Sequence, residues 1–179
     1  MASCRYRIHS KLCNLYKGNS PIWLRRMIDL QFSDDLGHPQ ARAELKRLLS
    51  KARLTRWVQH ALRASEDADQ ITLRVVGLDE GRELNRDYRG KAKDYATNVL
   101  TFAYETRPYV AADIVLCAPV IAREAADQGK SLEAHWAHLV IHGILHAQGY
   151  EHETNERDAL EMEALEVLLL GALGYPNPY

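Results

Sequence analysis

Three histidines near the C-terminal end of the sequence have the spacing of metal ligands. His142 and His146 are four residues apart, and residues at that spacing lie on one face of a helix, one turn apart. Gly149 can adopt the left-handed conformation that ends a helix, so the chain can turn there and bring His152 back to the same point. Three imidazoles leave one zinc position open, as in catalytic sites. The spacing therefore predicts that His142, His146 and His152 bind one zinc ion.

The residue that follows the first of these histidines separates two kinds of hydrolase. The spacing equals that of the metzincin signature H-E-x-x-H-x-x-G-x-x-H, but Gly143 stands where those peptidases carry the glutamate that acts as general base. A peptidase is therefore disfavoured, and metal-assisted hydrolysis of another substrate remains open. His135 and His138 are interpreted as packed or surface residues, although His138 precedes His142 by one turn and could contact it.

The elements that must position these histidines follow from hydrophobic periodicity. Alternating and β-branched runs predict four strands, at 27–32, 71–78, 98–104 and 113–117. Three- and four-residue spacing predicts about five helices: one helix or a bent pair in 40–65, then 79–87, 119–128, 132–148 and 155–173, with Thr154 as the last N-cap. The expected fold is α+β: a small mixed four-stranded sheet covered by helices, with the zinc site at the end of a central helix.

Length and charge indicate one soluble domain with an unusual N-terminal stretch. The 179 residues suit a single domain. The formal net charge of −1 divides into +6 for residues 1–26, which contain no acidic residue, and −7 for 27–179. We expect 1–26 to be a basic extension that is disordered or not translated, and 27–179 to be the working domain. Three widely spaced cysteines do not form a disulfide framework and favour a cytoplasmic location. The longest apolar run is too short to cross a membrane.

Several blocks, in order, resemble one known family. They are ELNRDYRGK (83–91), TNVLTF (97–102), DIVLC (113–117), EAHWAH (133–138), HGILHAQGYEH (142–152), MEALE (162–166) and LGYPNPY (173–179). On these blocks the sequence resembles the YbeY family of metal-dependent endoribonucleases, also described as rRNA maturation factors. The similarity is good over 69–179 and loose over 27–68. The family usually reads Arg-Gly-Lys-Asp where this chain has Arg89-Gly-Lys-Ala-Lys-Asp94, which is about two residues longer.

The resemblance implies a specific function. It implies that His142, His146 and His152 bind zinc and that Arg89 takes part in activity. It also implies cleavage of single-stranded RNA, maturation of the 3′ end of small-subunit rRNA and a part in ribosome quality control. Implied partners are the small ribosomal subunit, ribosome-assembly factors and a small-subunit ribosomal protein.

A mechanistic hypothesis follows from these residues. A zinc ion on three neutral imidazoles acidifies a bound water or polarises a phosphoryl oxygen, and the Arg89 guanidinium stabilises charge on the phosphate. Glu151 and Asp113 are candidates for the general base, Asp113 being equally suited to orienting a ligand histidine. Attack by the RNA 2′-hydroxyl would make a separate base unnecessary.

The surface around Arg89 is the expected RNA contact. Five basic residues are expected to contribute: Arg82, Arg86, Arg89, Lys91 and Lys93. Acidic residues interrupt this patch, so it is local. Tyr88 and Tyr95 could stack on bases or pack on the sheet. The last helix is interpreted as core packing on one side and a solvated acidic face on the other, with Glu161, Glu163 and Glu166 on that face.

Two other functions remain open at this point. One is a ribosome-assembly binding factor whose zinc is not catalytic. The other is a metal hydrolase that acts on a different substrate. An open coordination position would favour either enzyme over the binding factor, and a role for Arg89 would favour the nuclease.

Overall fold

The computed structural model describes residues 27–62, 69–152 and 155–179. In chain order the elements are β1 (Met27–Phe32), α1 (Pro39–Leu48), α2 (Lys51–Ala61), β2 (Gln70–Val76), α3 (Leu78–Arg89), β3 (Val99–Glu105), β4 (Ala111–Cys117), α4 (Ala118–Asp127), α5 (Leu132–Ala147) and α6 (Glu156–Leu173). The expected extension at 1–26 and the expected N-cap Thr154 lie outside the described residues. All four predicted strands are present within a few residues of their expected bounds.

The strands form one mixed sheet in the order β1-β2-β4-β3. β1, β2 and β4 are parallel, with Leu30 beside Leu73 and Leu73 beside Ile114. β3 runs antiparallel to β4 and forms an edge of the sheet. The prediction of a small mixed four-stranded sheet is confirmed.

Successive side chains of β4 pack into two different hydrophobic cores, one on each face of the sheet, because side chains alternate between the faces of a strand. Ile114 and Leu116 belong to the main core, which α5 covers, whereas Val115 and Cys117 belong to a smaller core together with Leu84 of α3. The sheet is therefore covered by helices on both faces. The α+β class predicted from the sequence is confirmed.

The described residues contain six helices where about five were expected, because the segment that begins near residue 40 is divided. α1 ends at Leu48, and the Ser50 side chain then accepts a hydrogen bond from the Arg53 N–H at the start of α2. This is the bent pair that periodicity left open. α6 is capped by Asn155, whose side chain accepts from the Asp158 N–H.

Helix α5 is the central element that carries the site. It contacts α2, α4, α6, β3 and β4, and Trp136 and Ile141 are completely buried within it. Ser131 caps its first turn by accepting from the Ala134 N–H, and Gly149 follows its end with a φ of +89°. In the described ranges, none of the helices combines the length and the apolar character needed to span a membrane.

Candidate metal centre

Three imidazoles converge where α5 ends. His142 and His146 lie one turn apart, and their Nε2 atoms are 3.1 Å from each other. His152 follows the turn at Gly149, and its ring centre lies 5.2 Å from that of His142 and 5.0 Å from that of His146. One possible ligand atom from each histidine lies within 4.8 Å of the corresponding atoms of the other two. The donors expected from the sequence are thus close enough to bind one ion.

The chemistry of these donors suits a divalent transition metal. Imidazole nitrogen is a preferred ligand of zinc, and it binds in its neutral form. Burial and the neighbouring His142 and His152 lower the pKa of His146, which favours that neutral form. The group therefore fits a metal ion, although the donor set alone does not distinguish zinc from other metals that bind imidazole.

Gly143 lies where α5 packs directly on the sheet. A Cβ atom at this position would be 2.8 Å from Ile114 Cγ2 and 3.3 Å from Thr101 Oγ1. The Thr101 hydroxyl also donates to the Gly143 carbonyl at 3.3 Å. A side chain at 143 would collide with Ile114 of the main core, so the packing of α5 on the sheet disfavours a peptidase-type glutamate here.

Glu166 on α6 is the residue that sequence reasoning placed wrongly. We expected it on a solvated acidic face, but only 1% of it is exposed. Its Oε1 lies 2.8 Å from His142 Nδ1, and its Oε2 lies 2.5 Å from His138 Nε2. The Tyr179 hydroxyl donates to Oε2 at 2.6 Å. The available signal was helical spacing, since Met162 and Leu170, four residues on either side of Glu166, are also buried.

These contacts keep the Glu166 carboxylate ionised. Burial alone would raise the pKa of Glu166, but hydrogen bonds from His138, His142 and Tyr179 lower it to about 2. His138 therefore lies one contact away from the ligand cluster, as its position one turn before His142 suggested. His135 is different: it is buried, 3.0 Å from a Glu124 carboxylate oxygen, and burial lowers its pKa. It packs as expected.

His138, His142 and Glu166 form a second group of potential metal donors. Two atoms bound to one zinc ion at about 2.1 Å in tetrahedral geometry are about 3.4 Å apart. The 2.5 Å between His138 Nε2 and Glu166 Oε2 is much shorter than that, so these two atoms form a hydrogen bond and do not share an ion. This second group is a hydrogen-bonded network that supports the first.

The two candidate bases lie in different places. Glu151 Oε2 is 3.6 Å from His146 Nδ1, and Glu151 lines the same cleft as the three imidazoles. Asp113 shares the strand face of Val115, which packs in the smaller core, and it accepts a hydrogen bond from the Tyr104 hydroxyl at 2.8 Å. The interpretation of Asp113 as a base or as a partner of a ligand histidine is wrong, because the sheet separates it from α5.

The imidazoles lie in a cleft of about 500 Å³. Arg89, at the end of α3, lines this cleft together with Thr97 and Asn98. The Asn98 amide is held by Glu124 at 3.0 Å, and the Asn98 side chain accepts from the Val99 N–H at 2.7 Å. The wall that faces the imidazoles is therefore fixed by contacts from α4.

Most of the other expected RNA contacts have partners of their own. Arg82 forms a bidentate salt bridge with Asp94, and Arg86 Nε lies 3.2 Å from Asp87 Oδ1. Lys93 lies over the ring of Tyr95, which is exposed. None of these residues lines the cleft, whereas Arg89 does.

Tyr88 packs on the sheet, which is one of the two roles left open for it. Its ring packs edge-on against Phe102, with 4.7 Å between ring centres. It is nevertheless 58% exposed, so one side of the ring remains accessible.

Comparisons with known proteins identify the family of this chain. A solved structure from Thermotoga maritima is 25% identical, with a TM-score of 0.49, and the match covers 83% of this chain and 92% of that one. The protein named endoribonuclease YbeY from Polaromonas sp. strain JS666 is 60% identical over 152 residues, which is 85% of this chain and 93% of the relative. The protein of that name from Polaromonas naphthalenivorans is 62% identical over 131 residues, 73% of this chain and 83% of the relative. The family model described as endoribonuclease YbeY matches residues 40–174. By the family model and these two relatives, and by the blocks that first suggested it, the chain belongs to the YbeY family of endoribonucleases.

Proposed function

We propose that this chain is a zinc-dependent endoribonuclease that cleaves single-stranded RNA at the cleft beside α5. In this proposal His142, His146 and His152 hold the ion, and Arg89 contacts the phosphate that is cleaved. The observation that carries the proposal is the convergence of three imidazoles in one cleft that also contains a guanidinium group.

The residues of the cleft suit phosphodiester chemistry. When bound to three imidazoles, a zinc ion supplies Lewis acidity at an open coordination position. Arg89 presents a planar array of donors that matches phosphate oxygens, and it would hold the substrate phosphate and stabilise its growing negative charge. Glu151 lies at the edge of the ligand cluster and could accept a proton from the attacking group.

The charge distribution of the domain supports RNA binding at the cleft alone and argues against a broad basic RNA-binding surface. The working domain is acidic, at −7 for residues 27–179, and Arg82 and Arg86 are paired with carboxylates. Non-specific attraction of RNA would therefore be weak. The bound cation and Arg89 would select a strand that enters the cleft.

The cellular role follows from family membership and forms part of the proposal. We propose that the substrate is rRNA of the small ribosomal subunit, cleaved during late 3′-end maturation and ribosome quality control. Ribosome-assembly factors and a small-subunit ribosomal protein would be partners, and the cytoplasm would be the compartment. Residues 27–179 would form the nuclease domain.

A combined metal and cleavage assay tests the proposal. We would measure zinc content and cleavage of a labelled single-stranded RNA for the wild type, His142→Ala and Arg89→Ala. We expect His142→Ala to lose zinc and cleavage, and Arg89→Ala to keep zinc but to cleave about 100-fold more slowly. His60→Ala and Arg86→Ala are matched controls, since His60 is exposed on α2 and Arg86 does not line the cleft.

The same assay separates the two alternative functions. A binding factor with non-catalytic zinc would contain the metal, and its residual cleavage would be equal in all variants, as expected of a contaminating nuclease. A hydrolase of another substrate would leave RNA intact while hydrolysing other esters in a His142-dependent manner. Either result would overturn the proposal.

A further inference from the structure

A buried carboxylate contacts one of the three histidines without belonging to their group of converging donors. Glu166 is buried between α5 and α6, and its two oxygens face three hydrogen-bonding groups. Oε1 faces only His142 Nδ1 among these groups, whereas Oε2 is shared by His138 and Tyr179. The carboxylate is thus held at one oxygen and presents the other to a ligand histidine.

The contact with Glu166 favours one tautomer of the His142 ring. His142 Nδ1 lies 2.8 Å from Oε1, and a metal-binding imidazole commonly donates the N–H of its other nitrogen to such a carboxylate; in that arrangement the proton of the contact lies on Nδ1. A neutral imidazole then carries its lone pair on Nε2. That Nε2 atom lies 3.1 Å from His146 Nε2, inside the group of donors. Without the Glu166 contact, the His142 ring could take the other tautomer or rotate.

We propose that Glu166 is a positioning residue of the metal centre, which holds His142 in the tautomer and orientation that bind the ion, with His138 and Tyr179 as its anchors. The inference rests on the proposed function, because it takes the three histidines as the metal ligands. It adds a carboxylate–histidine–metal chain, in which the outer partner orients the ligand and raises its basicity.

The arrangement also connects α6 and the segment after it to the metal site. Glu166 contacts a histidine 24 residues earlier in the chain, and Tyr179 reaches the same carboxylate from beyond the end of α6. The Tyr179 ring packs against the His138 ring with 5.7 Å between centres. The anchors of Glu166 therefore come from two different parts of the fold.

Zinc affinity of the purified full chain tests the inference directly. We would determine it by competition with a chromophoric chelator, for the wild type, Glu166→Gln and Glu166→Asp. The amide keeps the shape but has only one acceptor oxygen, so it cannot pair with His142 and also with both His138 and Tyr179. The aspartate keeps the charge but is one methylene too short to reach His142. We expect each variant to bind zinc 10- to 100-fold more weakly.

Two control variants on α6 distinguish loss of the hydrogen bond to His142 from loss of a negative charge. Glu163→Gln removes a carboxylate that lines the cleft, and Glu161→Gln removes an exposed one that does not. We expect both to bind zinc as the wild type does. The visible spectrum with Co²⁺ gives a second readout: a weaker or shifted absorption in the Glu166 variants would report altered ligand geometry. Thermal unfolding of the metal-free proteins identifies any variant that does not fold.

The outcomes are distinct. Unchanged zinc affinity and an unchanged cobalt spectrum in folded Glu166→Gln would overturn the inference, as would an equal loss of affinity in Glu163→Gln, which would indicate a charge effect alone. If Glu166→Gln is unfolded, Glu166→Asp decides in the same way. Failure of the proposed function would appear elsewhere, as a wild type that binds zinc but does not cleave RNA.

Discussion

Replacement of Gly143 by alanine measures how tightly α5 packs on the sheet. The added Cβ would lie 2.8 Å from a methyl group of Ile114, a β-branched side chain that is completely buried. A stiff, buried neighbour cannot move aside easily, so we place the cost in the upper part of the overpacking range, about 2–3 kcal/mol. Alanine regains about 1 kcal/mol of helix propensity over glycine. The net loss in the free energy of unfolding is therefore about 1–2 kcal/mol.

Gly171→Ala is the matched control for this prediction. Gly171 lies in α6, is exposed, and has nothing within 4 Å of the position that its Cβ would take. The same substitution there should raise the free energy of unfolding by up to about 1 kcal/mol. Urea unfolding of both metal-free variants, followed by far-ultraviolet circular dichroism, gives the comparison.

The opposite signs of these two effects are the essential point. If Gly143→Ala were as stable as the wild type while Gly171→Ala gained stability, α5 could move away from Ile114 at little cost. The argument that the packing of α5 disfavours a side chain beside His142 would then be refuted. A loss of stability at both positions would instead show that helix propensity has been misjudged.

Three further predictions concern α3, Arg89 and the metal. Asp35→Ala should lower the free energy of unfolding by about 1–2 kcal/mol, because Asp35 accepts from the N–H groups of Gly77 and Glu80 at 2.8 and 3.0 Å. Burial raises the pKa of Asp35, but the Ser33 side chain and these hydrogen bonds outweigh it and hold that pKa below 3.8. The stabilisation is therefore present above pH 3.8 and is lost as the pH falls through the lower folded value. A difference from wild type that did not shrink as the pH was lowered below 3.8 would contradict this account. Arg89→Lys should cleave RNA about 10-fold more slowly than wild type with unchanged zinc content, since an ammonium group cannot pair with two phosphate oxygens at once. If Arg89→Lys cleaved RNA at the wild-type rate, the argument that the site needs a guanidinium group would be contradicted. Free zinc at 100 times its dissociation constant should stabilise the folded protein by about 2.7 kcal/mol, equivalent to a rise in Tm of about 5–10 °C in differential scanning calorimetry; a similar rise in His142→Ala would show that zinc binds elsewhere.

Local patterns were sufficient for the elements and for the convergence of the three histidines. The run from Met27 to Phe32 alternates, and α5 has both a capping serine and a terminating glycine, so each could be recognised from adjacent residues. The three histidines lie close in sequence and need only one helix and one turn to meet. Such information is contained in short segments, which is why it could be predicted.

The misplaced residues depend on packing between distant segments. Asp113 alternates correctly within β4, but the sequence does not say which face of the sheet α5 covers. Glu166 has the charge of a surface residue, and only the docking of α6 on α5 provides the donors that make its burial favourable. The available sign of its burial was that Glu166, a charged residue, occupies a position on the apolar face of α6.

The contact between Trp57 and Tyr175 has a consequence for the order of folding. The indole N–H donates to the tyrosine hydroxyl at 3.1 Å across 118 residues, and that hydroxyl donates to Glu133 at 2.8 Å. Contacts so distant in sequence form late, because a long loop must close first. Tyr179, whose hydroxyl reaches Glu166 beside the candidate metal centre, follows Tyr175 in the same segment. On a ribosome, synthesis from the N-terminus would therefore complete the sheet first and the nuclease centre last, after the chain beyond α6 has emerged.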